Sequence, residues 1–146
     1  MTSLATPILL RETSKTVRAA LEQAFQEKGL DEIRPQDGHL LHCIDLNPGC
    51  TSVDLAALQC VSKSNISFSL NLLVEKGFIE FVSNEEDRRE KRIILTEKGR
   101  RHQEAVGALF VDFEKEMLRG FTKAEEQSLR NYLKRIIDNA ERRNNE

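Results

Sequence analysis

The side chains best suited to chemistry crowd into one stretch, NEEDRREKRIILTEKG, from Asn84 to Gly99. Asp87, Arg88, Arg89, Lys91 and Arg92 stand immediately ahead of the apolar run Ile93, Ile94 and Leu95. Guanidinium groups offer planar forks of donors that match phosphate and carboxylate. From Arg88 to Arg101 seven basic residues face only Glu90 and Glu97, a local balance of +5 in a chain whose net charge is −2. The net charge taken alone argues against a nucleic acid partner, because phosphate contacts need lysine and arginine in quantity. That average, however, mixes faces that point different ways. A solvated hairpin tip accounts for a run of mixed charge; the abrupt change to an apolar segment asks for more.

Other reactive residues are scattered. His39, His42 and Cys43 fall within one helical turn or so, and His102 lies far along the chain. Histidines at i and i+3 can share a metal, but no repeated ligand spacing accompanies them. Metal sensing is therefore kept as an alternative, with no metal site assigned. Cys43, Cys50 and Cys60 are odd in number and lack CxxC spacing, which argues against a disulfide framework and a four-thiolate zinc site. They are expected to be reduced and mostly buried; Cys50, just ahead of a helix start, is the best redox-sensing candidate. No phosphate-binding glycine loop, nucleophile elbow or HExxH is present, so neither an enzyme nor a cofactor is expected.

The 146 residues suit one domain with a real core. Charged residues make up 32%, no apolar segment approaches the roughly 18 residues of a membrane span, and MTSLATPILLRE lacks a basic leader. A soluble, cytoplasmic protein without membrane association is the expectation.

The elements that must position the charged stretch follow from periodicity. Leu10, Val17, Leu21, Ala24 and Phe25 predict a long first helix from about Leu4 to Lys28, stopped by Gly29. Pro35 opens a second helix carrying Leu40, Leu41, Ile44 and Leu46, ended by Asn47, Pro48 and Gly49. Thr51 and Asp54 form a capping box for a short third helix, and Ser62 caps a fourth that runs to Gly77. These two make a helix-turn-helix. The alternation of Phe78 to Ser83 and the run Arg92 to Leu95 predict a hairpin with the charges at its tip. Thr96 and Thr122 then start two long helices, the first carrying Val106, Leu109, Phe110, Phe113 and Met117, the second Leu129, Leu133, Ile136 and Ile137.

The fold is thus mainly α with a small β-hairpin wing: a winged helix-turn-helix over residues 34–99, flanked by a helical dimerisation region, 1–33 and 100–146. The outer helices have wide apolar faces and little core of their own to cover, which a second copy would solve. In the fourth helix, Ile66, Leu70 and Leu73 point inward at about 100° per residue. Ser64, Ser67, Phe68 and Asn71 then point away from the core, with Asn65 and Leu72 on the flank, and Lys63 and Lys76 supply its positive charge.

Three segments carry a resemblance: TSVDLAAL from Thr51, VSKSNISFSLNLLVEKGFIE from Val61, and DRREKRIILTEKG from Asp87. With the helix order, they make the chain similar to the MarR family of bacterial transcription regulators. The resemblance implies a homodimer on double-stranded DNA, a repressor or an activator, reading an inverted repeat. Residues about 62–77 would enter the major groove and about 84–92 an adjacent minor groove. It makes Ser62, Lys63, Ser64, Asn65, Ser67, Phe68, Asn71, Asp87, Arg88, Arg89 and Lys91 the DNA-contacting candidates. Asp87 would orient Arg89 into a narrow minor groove, whose negative potential attracts it. A small, often aromatic effector is implied as well. Phe68 and Leu72 depart from the family, which commonly has basic residues there. They could touch thymine methyl groups, or pack against a neighbouring element or a protein partner, and the alternative to a DNA regulator is a winged-helix protein-interaction module.

Overall fold

The computed structural model describes residues 5–58 and 63–146, and of Lys63, Ser64 and Asn65 the backbone alone. Six helices and one hairpin follow in the order α1 (Thr6–Glu27), α2 (Pro35–Leu46), α3 (Ser52–Ala57), α4 (Lys63–Glu75), β1 (Ile79–Ser83), β2 (Lys91–Leu95), α5 (Glu97–Met117) and α6 (Lys123–Asn144). The mainly helical fold with a two-stranded wing is the one that periodicity predicts. The turn expected between the helix-turn-helix elements, together with Cys60 and Ser62, lies outside the described residues.

Local chemistry explains the element ends. Pro35 stands in the first turn of α2, where its missing N–H costs nothing. The Thr51 hydroxyl accepts from the Asp54 amide at 3.2 Å while the Asp54 carboxylate accepts from the Thr51 amide at 2.9 Å, closing the expected capping box at α3. At α6 the Thr122 hydroxyl accepts from the Glu125 amide at 3.1 Å. The helix α4 ends where Gly77 takes a φ of 82°, a left-handed conformation that costs a residue with a Cβ dearly.

The chain divides into two compact units, residues 1–110 and 111–146, with the break inside α5. In the first, Leu40, Leu41 and Ile44 of α2, Leu55 of α3, Leu73 of α4, and Phe78, Ile79 and Ile93 at the hairpin close one core, each at most 1% exposed. The hairpin is antiparallel and pairs Ile79 with Leu95 and Ser83 with Lys91. Cys50 extends it: its carbonyl accepts from the Ile93 amide at 2.8 Å, and the Gly49 amide donates to the Ile93 carbonyl at 3.0 Å. The loop before α3 is thereby tied to the base of the wing. Leu46, read as part of the apolar face of α2, is instead 66% exposed, because it closes the helix on the solvent side.

Within this unit α1 meets α5 through the rings of Phe25 and Phe110, 6.1 Å apart and edge to face. No residue of α1 is buried. In the second unit Glu114 and Arg130 form an ion pair between the end of α5 and α6. No residue of α6 is buried either, and Tyr132, Leu133, Ile136 and Ile137 stand exposed.

The start of α5 is fastened to the end of α4 by a compact set of contacts. The Thr96 hydroxyl donates to the Gly77 carbonyl and accepts from the Gly99 amide at 3.1 Å. The Lys98 ammonium donates to the Lys76 carbonyl at 2.8 Å and to Glu32 at 3.1 Å, and lies 4.5 Å from the centre of the Phe78 ring. His102 packs edge to face with Phe78, 5.1 Å between ring centres, and is only 9% exposed. Burial pushes its pKa below the ordinary value; Glu32 opposes that shift and Lys98 adds to it.

The sign of the consequence is fixed by that direction. The unfolded chain takes up the His102 proton first as pH falls, so this residue's contribution to stability is complete above about pH 6.5 and is lost as pH falls through the folded-state value. Denaturant midpoints measured at stepped pH should decline on the acid side of that point, and His102→Phe should flatten the part of the decline that His102 causes. An unchanged pH profile in the variant would contradict the assignment.

Candidate nucleic-acid interface

Helix α4 presents two distinct faces. Ile66, Leu70 and Leu73 are 5%, 3% and 0% exposed and fill the core, as their spacing predicts. Ser67 and Asn71 are exposed beside Phe68, which is 63% exposed, and Leu72 is half-buried on the flank. Ser62 falls outside the described residues, and the side chains of Lys63, Ser64 and Asn65 are likewise not described. The backbone of the last three nevertheless forms the first turn of α4, the end that a groove-reading helix directs at bases. Ser69, passed over in the sequence, is buried.

Phe68 is not isolated. The guanidinium carbon of Arg34, the residue that precedes α2, stands 5.5 Å from its ring centre. Arg34 is held from the other side by Asp37, with Nε to Oδ2 at 2.7 Å and Nη2 to Oδ1 at 3.1 Å. The Asp37 side chain is wholly buried while that of Arg34 is 44% exposed. The hydrogen bond to Asp37 raises the Arg34 pKa; desolvation opposes that shift and the charge of Asp37 adds to it. Neither Arg34 nor Asp37 was among the sequence candidates; their i, i+3 spacing at the start of a helix was the available signal.

The hairpin tip, residues 84–90, is knitted by its own side chains. The Asn84 amide group donates to Glu90 Oε2 at 2.7 Å, and its Oδ1 accepts from the Glu86 amide at 3.1 Å. The Asp87 carbonyl accepts from the Glu90 amide at 3.1 Å. Asp87 acts on Arg89 through the backbone. Oδ1 accepts from the Arg89 backbone amide at 2.9 Å, an Asx-type turn. The carboxylate thus sets the bend from which the Arg89 side chain projects, because two residues of separation bring the amide within reach before the guanidinium.

The positive run sorts itself by partner rather than forming one patch. Arg92 lies 3.8 Å from Glu90 and reaches the Gly49 carbonyl at 3.5 Å. Lys98 is engaged with Glu32, and Arg101 with Glu97 at 2.6 Å. Arg100 donates to the Leu95 carbonyl at 3.2 Å. Lys91 sits 5.6 Å from the centre of the Phe81 ring. Arg88 and Arg89 are exposed at the very tip.

Cys43 and Cys50 are buried in the core cluster, as expected of small apolar side chains; Cys60 is outside the described residues. The Cys43 sulfur lies 3.9 Å from His39 Nε2. His102 is taken up by Phe78, and among the described residues no group of three or more His, Cys, Asp and Glu is placed to hold a metal ion. Among the same residues no helix is long and apolar enough to cross a membrane.

The chain is similar to known proteins. A family model described as "MarR family" matches residues 33–91, from the residue before Arg34 to the first residue of β2. The chain is 28% identical over 135 residues to the uncharacterized HTH-type transcriptional regulator YybA of Bacillus subtilis, covering 92% of this chain and 89% of that protein. It is 29% identical over 93 residues to the HTH-type transcriptional regulator BilQ of Clostridium symbiosum, covering 64% of this chain and 65% of that one. Among solved structures it is similar to a mutant of MepR from S. aureus bound to an oligodeoxyribonucleotide. There the TM-score is 0.66 at 21% identity, over 94% of this chain and 99% of the other.

Proposed function

We propose that the chain belongs to the MarR family of DNA-binding transcription regulators and acts as a homodimer reading an inverted repeat. Each α4 lies in a major groove, and each hairpin tip reaches the minor groove beside it. The observation that carries the proposal is the pairing, on one folded unit, of an exposed polar face on α4 with two exposed arginines at a tip braced by Asn84 and Asp87. Major-groove readout needs short polar side chains on a helix, and minor-groove insertion needs a cation on a preset backbone.

The dimer part of the proposal rests on the outer helices. Neither α1 nor α6 buries a single residue within the chain, yet each carries exposed apolar side chains, the adjacent Ile8 and Leu9 on one and, at helical spacing, Tyr132, Leu133, Ile136 and Ile137 on the other. A second copy covers such faces by symmetry, and reading two half-sites of an inverted repeat needs two α4 helices roughly 34 Å apart, one turn of DNA. Modulation by a small aromatic effector belongs to the same proposal, as does residues 34–99 being the DNA-binding domain.

Genome-wide mapping of bound DNA tests the reading. It should return a limited set of promoter-proximal sites sharing a palindrome, and signal spread evenly over the genome would contradict it. At the residue level, Ser67→Ala or Asn71→Ala should flatten discrimination at individual base positions worth about 1–3 kcal/mol each, whereas Arg88→Ala should weaken binding to every sequence by a similar factor. Titration against a panel of single-base variants of the recovered site separates these outcomes. Panels with the same profile for all three variants would count against α4 as the reading helix.

A further inference from the structure

Arg34 stands outside the helix-turn-helix and the wing, and the side chains around it are arranged as a mount for its guanidinium. Asp37 takes two of its N–H groups in a bidentate pair, at 2.7 and 3.1 Å, from a position of zero exposure. Phe68 supplies a face beneath the group at 5.5 Å, and Phe68 itself lies on the exposed side of α4. A guanidinium has five N–H donors. Nε–H and one hydrogen of Nη2 are used, so three remain on a side chain that is 44% exposed.

We propose that Arg34 is a DNA-contacting residue that grips a backbone phosphate beside α4, with Asp37 and Phe68 as the positioning residues that hold its guanidinium in place. The proposal rests on the reading of α4 as the groove helix.

The electrostatics of the pair favour an outside anion. The carboxylate is buried and the guanidinium is not, so the charge facing solvent is positive although the pair is neutral. Asp37 also lies in the first turn of α2, where the backbone amides and the helix dipole share its negative charge. A free arginine must surrender side-chain freedom on gripping a phosphate; one already fixed by a fork and a ring surrenders much less. This arrangement also assigns Phe68 a task that its departure from the family left open. Its ring orients a cation supplied by the residue that precedes α2. Phosphate contacts of this kind position a protein without reading sequence.

The test uses the full-length protein and fluorescence anisotropy on a random-sequence duplex, with the affinity followed over a series of salt concentrations. Arg34→Gln alone leaves the Asp37 carboxylate buried without its partner and can unfold the chain. The double variant Arg34→Gln/Asp37→Asn removes both charges, leaves the net charge unchanged, and is checked for folding by circular dichroism. The expected result is a fall of about 0.9 in the slope of log affinity against log salt, the signature of one lost phosphate contact. An unchanged slope in the folded double variant, while Arg89→Ala still lowers it, overturns the role of Arg34 and leaves the DNA reading intact. Inorganic phosphate that binds the wild type and not the double variant, while the slope for the duplex is the same in both, overturns it too, by assigning the cradle to a free anion. Absence of any salt-dependent duplex binding by the wild type overturns the α4 reading and this proposal together.

Discussion

Gly99→Ala is expected to destabilise the winged-helix unit by about 3 kcal/mol or more, enough to leave much of a marginally stable domain unfolded. A Cβ at this position would lie 2.1 Å from the carbonyl oxygen of Phe78 and 3.2 Å from its carbonyl carbon. The obstacle is backbone, so no rotamer change can clear it. Phe78 cannot retreat, since it is 1% exposed in the core and its carbonyl accepts from the Thr96 amide at 3.0 Å. The close approach lets α5 begin directly against the end of α4, with Thr96 and Lys98 bonding the Gly77 and Lys76 carbonyls. Chemical denaturation followed by circular dichroism measures the effect. A variant with a wild-type midpoint would show that α5 can shift at its start without loss.

Arg89→Ala is expected to lower affinity for the target site by roughly tenfold to a hundredfold, with a shallower salt dependence and little change in stability. The side chain is exposed at a tip whose turn is fixed without it. Its loss therefore removes a contact rather than a fold. The geometry at Asp87 makes the companion result specific. Because Oδ1 accepts from the Arg89 main-chain amide, Asp87→Asn, which keeps an acceptor oxygen, should retain most of the binding that Asp87→Ala loses. If the carboxylate instead worked on the guanidinium through charge, the two substitutions would be equally harmful. Binding that is unchanged in Arg89→Ala across the salt series would remove the wing from the interface.

Much of this architecture is legible in the sequence because it is written in local periodicity. Ile66, Leu70 and Leu73 repeat on one helical face and are buried together; Thr51 and Asp54 close a box whose two hydrogen bonds span three residues; the alternation of Ile79 to Ser83 is a strand. What cannot be read in this way depends on residues brought together from a distance. Arg34 and Phe68 are separated by α2, α3 and the segments that join them, so their contact exists only once α2 and α4 have packed on a common core. The sorting of the basic run is equally non-local, since Lys98 finds Glu32 across the length of the helix-turn-helix. The significance of Gly99 lies in a clash with Phe78, which no spacing rule foretells. Asp87 shows the intermediate case: its connection to Arg89 follows from sequence proximity, while the atom it reaches is decided by the turn.

The central claim, a dimer that reads an inverted repeat through α4 and the hairpin tips, is tested most directly by selecting binding sites from a random duplex pool with the wild-type protein. Enrichment of a palindrome whose half-sites are centred about one helical turn apart, roughly 10 base pairs, is the result the proposal predicts. A pool that stays random after repeated selection, or one that converges on a single unrepeated half-site, would contradict it.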